Sequence, residues 1–188
     1  MKQELTKRIL SSILLIPITL FFIIKGSFLF IFFVLFCFFV AIYEWHMMSK
    51  KKSYRLFGFI FLFFSFYTIY KLRVDLNGYW FLLFIVTICV STDIGGYVFG
   101  KLFKGPKLTK FSPNKTYAGM VGGYLLSILS SYIFVNFYFS EEISIKWFFF
   151  VILISTISQL GDIIISFFKR LSKIKDTGKI IPGHGGLL

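Results

Sequence analysis

Acidic residues are scarce in this chain: eight, against 21 lysines and arginines. The resulting charge of +13 raises nucleic acid as a partner. The basic residues, however, fall between apolar runs and not along one amphipathic surface, so no nucleic-acid partner is expected. Cysteine is equally rare. Cys37 and Cys89 each lie inside an apolar run, which excludes a disulfide framework and reads as two small buried hydrophobes. No His/Cys cluster is present, so zinc is not expected. The phosphate-binding pattern GxxxxGK[ST] is absent, which excludes a Walker loop. No small-x-small cleavage site follows the first apolar run, so that run reads as a retained span and not a signal peptide. There is no repeat of fixed period, no low-complexity linker and no stretch polar enough for a soluble domain.

What is abundant is apolar sequence. Hydrophobic residues make up 57% of the chain, and the mean hydropathy is +0.81. That is too apolar for a water-soluble domain and predicts an all-α integral membrane protein, a single polytopic domain over 1–188. Six spans are predicted: Ile9–Ile24, Ser27–Tyr43, Leu56–Tyr70, Tyr79 to about Gly100, Met120–Phe139, and Trp147 to about Phe168. With the N-terminus inside, only Lys25, Lys71, Arg73 and Lys146 fall in outer segments; the other basic residues are all inner. That bias predicts both termini, and every candidate loop, on the cytoplasmic side.

Three constellations carry chemistry. On the sixth span, Gln159, Asp162, Ser166, Lys169 and Lys173 step by three and four residues, so they share one helical face. A carboxylate inside an apolar segment is costly and marks a functional site with a partner. In STDIGGYVFGK, Asp93, Tyr97 and Lys101 also share a face, and Gly96 and Gly100 form a small-xxx-small pair suited to close helix packing. The plain reading of Asp93 is a carboxylate snorkelling near the cytoplasmic end or pairing with Lys101, set against the functional role usual for an intramembrane acid. In FSPNKTYAG, Ser112, Lys115 and Thr116 offer hydroxyls and a point charge to phosphate oxygens, just before a helix N-terminus. An ordinary basic loop explains that segment equally well.

The continuation KIKDTGKIIPGHGG adds Lys175, Asp176, Gly183, His184, Gly185 and Gly186, with glycines that let backbone amides approach a ligand closely. Two carboxylates among hydroxyl and amide neighbours suit Mg²⁺, which takes few carboxylates and keeps water and phosphate ligands. The metal ligands expected are Asp162 and Asp176.

SPNKTYAG, QLGDIIISFFKR and KDTGKIIPGHGG resemble the pattern of the phosphatidate cytidylyltransferases, or CDP-diacylglycerol synthases. The run S-x-x-K-R, four residues, K-D-x-G, then P-G-H-G-G is long and specific. LTKRILSSILLIP and STDIGGYVFGK are also similar, so the resemblance spans the chain. It implies a membrane nucleotidyltransferase of phospholipid biosynthesis that joins CTP and phosphatidate with Mg²⁺ and releases pyrophosphate. It implies a catalytic set of Asp162, Lys169, Arg170, Lys175, Asp176 and His184. It implies substrate contacts at Asp93, Lys101, Ser112, Lys115, Thr116, Gln159, Ser166, Gly183, Gly185 and Gly186. The expected setting is the bacterial cell membrane, among membrane lipid, and the resemblance leaves room for a homodimer.

Two departures stand out. Ala118 occupies the place where the family often has Glu. The family pattern also runs on past H-G-G-x-x to Asp-Arg, a further Asp and a last helix, so the chain reads as shortened at its C-terminus. By the resemblance, the Asp beyond Leu188 shares the metal with Asp162. The alternatives are an inactive shortened fragment, another lipid-phosphate enzyme of the polyprenol kinase kind, and a non-enzymatic transporter using Asp93 and Asp162. The transporter would set its acids face to face near the midplane; here both lie toward the ends of their spans.

Overall fold

A chain in lipid must satisfy its own amides, and a helix does so within one segment. Among the described residues six helices result: α1 (Lys2–Lys25), α2 (Ser27–Met48), α3 (Arg55–Asp75), α4 (Tyr79–Phe103), α5 (Tyr117–Tyr138) and α6 (Ile145–Leu171). The computed structural model describes residues 2–75, 79–109, 112, 115–138, 144–178, 180 and 185–188. Among these there is no strand. Helices α2 to α6 are each long and apolar enough to cross a membrane, whereas the apolar part of α1, Leu10–Lys25, is shorter. Large apolar side chains such as Phe28 (77% exposed) and Phe137 (80% exposed) point outward, an arrangement that suits lipid and not water. The protein is an all-helical integral membrane protein, as its composition predicts.

Helix ends depart from the sequence reading in two instructive places. Helix α2 runs on to Met48, so Glu44, Trp45 and His46, which follow the predicted span Ser27–Tyr43, are helical. Helix α6 stops at Leu171, so Lys173 does not continue the polar face of Asp162 and Ser166. Instead Lys173 takes a positive φ of 59°, and the amides of Lys173 and Ile174 bond back to the carbonyls of Arg170 and Lys169 at 3.0 Å each. That is a Schellman ending, with lysine where glycine is usual.

The helices form two compact units, Met1–Leu82 with Lys169–Leu188, and Leu83–Phe168. In the first, α1 and α2 turn about Gly26, whose φ of 64° suits glycine. The Arg73 guanidinium lies against Gly26 and donates to the Ile23 carbonyl at 2.9 Å, satisfying a helix-end acceptor. Phe22 stacks on Phe33 across this hairpin. Trp45 of α2 lies flat against Gly58 of α3, where any Cβ would collide with the indole, and its Nε1 donates to the Arg55 carbonyl at 2.9 Å.

In the second unit, Phe84, Ile88, Val135 and Val151 form a core, with the Trp147 indole edge-on to Phe84. Toward the other end of α4, glycines replace side chains altogether. A Cβ at Gly95 would strike the Gly122 carbonyl, and one at Gly119 would strike the Gly96 carbonyl. Without a hydrophobic drive between helices in lipid, such close backbone contact supplies the packing. Hydroxyl pairs tie α6 to the others: Thr92 to Ser155 at 2.8 Å and Tyr124 to Thr156 at 2.9 Å.

Candidate active site

The glycine seam sets α4 and α5 at a fixed register, and that register decides which polar groups meet. After α4 the chain loops back on itself. The Leu108 amide donates to the Lys115 carbonyl at 2.8 Å, and the Tyr117 amide to the Pro106 carbonyl at 3.2 Å. The Lys115 amide also bonds to the Ser112 carbonyl, and the Ser112 amide to the Thr109 hydroxyl. The loop thus delivers Lys115 and Thr116 to the start of α5 in a defined orientation. Thr116 accepts the Gly119 amide at 3.1 Å, which makes it the N-cap of α5. Its oxygen is spent on the helix; its O–H remains a donor.

Lys115 Nζ donates to Asp162 Oδ2. The pair is accessible, with Lys115 29% and Asp162 52% exposed, so the bond can be exchanged for another partner. Asp93 lies within electrostatic reach of both Asp162 and Lys115. Sequence spacing alone pairs Asp93 with Lys101; the structure instead sets the Lys101 ammonium 5.6 Å from the Tyr97 ring centroid. Gln159, one turn before Asp162, has a buried Nε2 with no hydrogen-bond partner among the described residues, and it lies beside Gly123. A buried unpaired donor is costly, so it points to an acceptor that arrives with a ligand. Ser166 follows one turn beyond Asp162, half-buried. The Lys115–Asp162 pair, Gln159 one turn away and Asp93 in electrostatic reach thus all belong to the second unit.

The first unit holds a different cluster. Lys169, near the end of α6, donates to the Leu188 carbonyl at 2.6 Å. Arg170 and Lys175 are exposed. The Asp176 carboxylate is set against Gly185, where a Cβ would collide with it. The amides of Thr177 and Gly178 both donate to the Gly185 carbonyl, at 2.8 and 3.0 Å. Gly185 and Gly186 take φ of 81° and 123°, conformations that L side chains rarely adopt. The K-D-T-G turn and the paired glycines are thus one hydrogen-bonded piece. Gly183 and His184 lie outside the described residues.

Reasoning from sequence missed Glu44. Its side chain is wholly buried and accepts from the Thr177 hydroxyl at 2.8 Å, the Leu187 amide at 2.8 and 3.0 Å, and the Leu188 amide at 3.0 Å. The available signal was an acid at the end of an apolar run, directly before Trp45.

Mg²⁺ needs only one or two protein carboxylates when phosphates complete its shell, and in the second unit Asp93 and Asp162 are the acids among the described residues. Among the described residues no group of three or more His, Cys, Asp or Glu side chains gathers, which is not the donor set of a closed protein cage.

Comparison with known proteins follows the same lines. The cytidylyltransferase family model matches residues 6–79 and 55–188. A phosphatidate cytidylyltransferase of Rickettsia felis is 34% identical over an alignment of 197 residues, covering 100% of this chain and 86% of that protein. One from Rickettsia typhi is likewise 34% identical, with the same coverage. One from Staphylococcus saprophyticus is 39% identical over 130 residues, 66% of this chain and 47% of its own length. No solved structure matches the chain.

Proposed function

Because the chain belongs to the cytidylyltransferase family, we propose that it joins CTP and phosphatidate to give CDP-diacylglycerol and pyrophosphate. A phosphate oxygen of phosphatidate attacks the α-phosphorus of CTP; the bond to the bridging oxygen breaks and pyrophosphate leaves. The nucleophile is already ionised, so the protein need not remove a proton. Its work is to bring anions together and offset their charge.

The observation that carries this reading is the Lys115–Asp162 pair with Asp93 in electrostatic reach. Lys115 is assigned to a phosphate of CTP: its bond to Asp162 is accessible, and an ammonium serves phosphate as a point charge. Asp162 and Asp93 are assigned to the metal, for which Mg²⁺ is our choice. When bound, it would polarise phosphoryl oxygens and hold the anions in register. Gln159 Nε2 is assigned to a substrate oxygen, since burial leaves it nothing else among the described residues. By the family resemblance, Lys169, Arg170 and Lys175 offset phosphate charge. Asp176, set against Gly185, belongs in this reading to the glycine segment. The charge bias of the loops supports the bacterial cell membrane as the setting, with these residues on the cytoplasmic side. The lipid substrate suits that depth, with its phosphate at the headgroup level and its acyl chains in the bilayer.

The test is CTP-dependent formation of CDP-diacylglycerol by the purified chain in phosphatidate-containing vesicles with Mg²⁺, beside Asp162→Asn. The parent is expected to turn over and the variant to lose all measurable product while still inserting normally, because a half-exposed carboxylate contributes little packing. Turnover within a few-fold of the parent would remove Asp162 from the site.

A further inference from the structure

We propose that Glu44 is a positioning residue: a buried carboxylate at the end of α2 that anchors the glycine segment to the membrane helices. The inference rests on the transferase reading for its catalytic consequence, but not for its structural content.

Glu44 and its partners are more than a hundred residues apart in sequence, so the contact is a feature of the fold and not of a local turn. The side chain is fully buried, and no ion pair to it occurs among the described residues. Among the described residues its carboxyl oxygens are met by neutral donors: one hydroxyl and two backbone amides. Fixed dipoles of this kind hold a carboxylate in one place, because neither amide can leave without moving the main chain. Conversely, the carboxylate fixes the segment.

Three further contacts extend that hold. The Gly185 carbonyl accepts the amides of Thr177 and Gly178, so fixing Thr177 also fixes the paired glycines. The Lys169 ammonium donates to the Leu188 main-chain oxygen, which ties the same segment to the end of α6. Asp176, the residue before Thr177, lies against Gly185. A Cβ at either Gly178 or Gly186 would collide with the Glu44 carboxylate or its close partners. The loop is therefore built around that carboxylate. Glycines at positive φ are conformationally free when released, so a segment rich in them needs an external constraint to present Lys175 in one arrangement. Misplacement of catalytic groups by about 1 Å costs on the order of a hundredfold in rate.

The experiment compares the full chain with Glu44→Gln, Glu44→Asp and Thr177→Val in phosphatidate vesicles, measuring amide hydrogen exchange at Leu187 and Leu188 alongside kcat and KM for CTP. In Glu44→Gln one acceptor is replaced by an NH₂ that faces N–H donors. Exchange at both leucines should accelerate at least about tenfold, kcat should fall by about a hundredfold, and KM for CTP should stay within about threefold. Glu44→Asp keeps the charge and should recover part of both losses. Thr177→Val removes one of the donors to the Glu44 carboxylate and leaves both amides in place, so it should move exchange and kcat in the same direction by less, which keeps the test available if Glu44→Gln folds poorly. Unchanged exchange at Leu187 and Leu188 in the Glu44 and Thr177 variants would overturn the anchor. Accelerated exchange with unchanged kcat would overturn its positioning role. The exchange comparison decides the anchor whatever the parent's activity, so failure of the transferase reading is told apart from failure of this one.

Discussion

Glu44 and Asp162 are both carboxylates on apolar helices, and their surroundings are opposites. Glu44 is sealed from solvent and held by a hydroxyl and two main-chain amides. Asp162 is half open and held by one lysine side chain. A charge met by main-chain dipoles cannot be borrowed, because its partners have nowhere to go. A charge met by a long, accessible ammonium is on loan, since the lysine can swing to an incoming phosphate and leave the carboxylate for a cation. Burial alone would rank Glu44 as the more important acid. In the reading proposed above, the kind of partner separates a structural acid from a chemical one.

The sharpest way to break this contrast is to exchange the charges of the open pair. The double variant Lys115→Asp with Asp162→Lys preserves an ion pair between α5's leading loop and α6. If the pair were structural, the swap would be tolerated. We expect no measurable CDP-diacylglycerol and normal membrane insertion; activity near the parent's would make Asp162 a second structural acid.

A smaller effect is expected at Gly58, where a methyl would displace the Trp45 indole next to Glu44. Gly58→Ala should cost about 1–3 kcal/mol by overpacking. It should raise amide exchange at Leu187 and Leu188 through the disturbed end of α2. Equal acceleration in α5 would show that the disturbance is global and the contrast false.

The smallest effect sharpens the role of the lysine. Lys115→Ala should raise KM for CTP about tenfold, the loss of roughly one charge-assisted phosphate contact, and lower kcat by less. A change in kcat alone would move Lys115 from substrate binding to another role.

The helices were legible in the sequence because membrane spans are long and their signal is redundant; their ends shifted by up to seven residues, and the first of the six predicted spans is shorter in its apolar part than the other five. The family pattern around Asp162, Lys169 and Asp176 was legible for the same reason, being many residues long. What could not be read was who meets whom. Asp93 spaces well with Lys101 on its own helix, yet the charges it feels are those of Lys115 and Asp162 from two other segments. That meeting depends on the register at which Gly95 and Gly96 pass Gly119 and Gly122, and no periodicity encodes a register between helices. Glu44 was missed for a further reason. Its main partners are backbone amides, and an amide belongs to every residue type except proline, so the residues Leu187 and Leu188 carry no mark of the contact. Lys173 was misplaced because helical spacing continues on paper after the helix has ended.

The seam between α4 and α5 has a consequence for how relatives of this chain are read. Gly95, Gly119 and Gly122 touch no charged group there, yet each faces backbone or a ring where no larger residue fits. Selection on packing alone would keep them fixed across long divergence, beside Asp93 and Thr116, which selection on chemistry would fix as well. In an alignment the two kinds of constraint would look identical. A ranking by invariance would therefore hand catalytic roles to three residues that own no reactive atom, and only the missing Cβ reveals that their contribution is room.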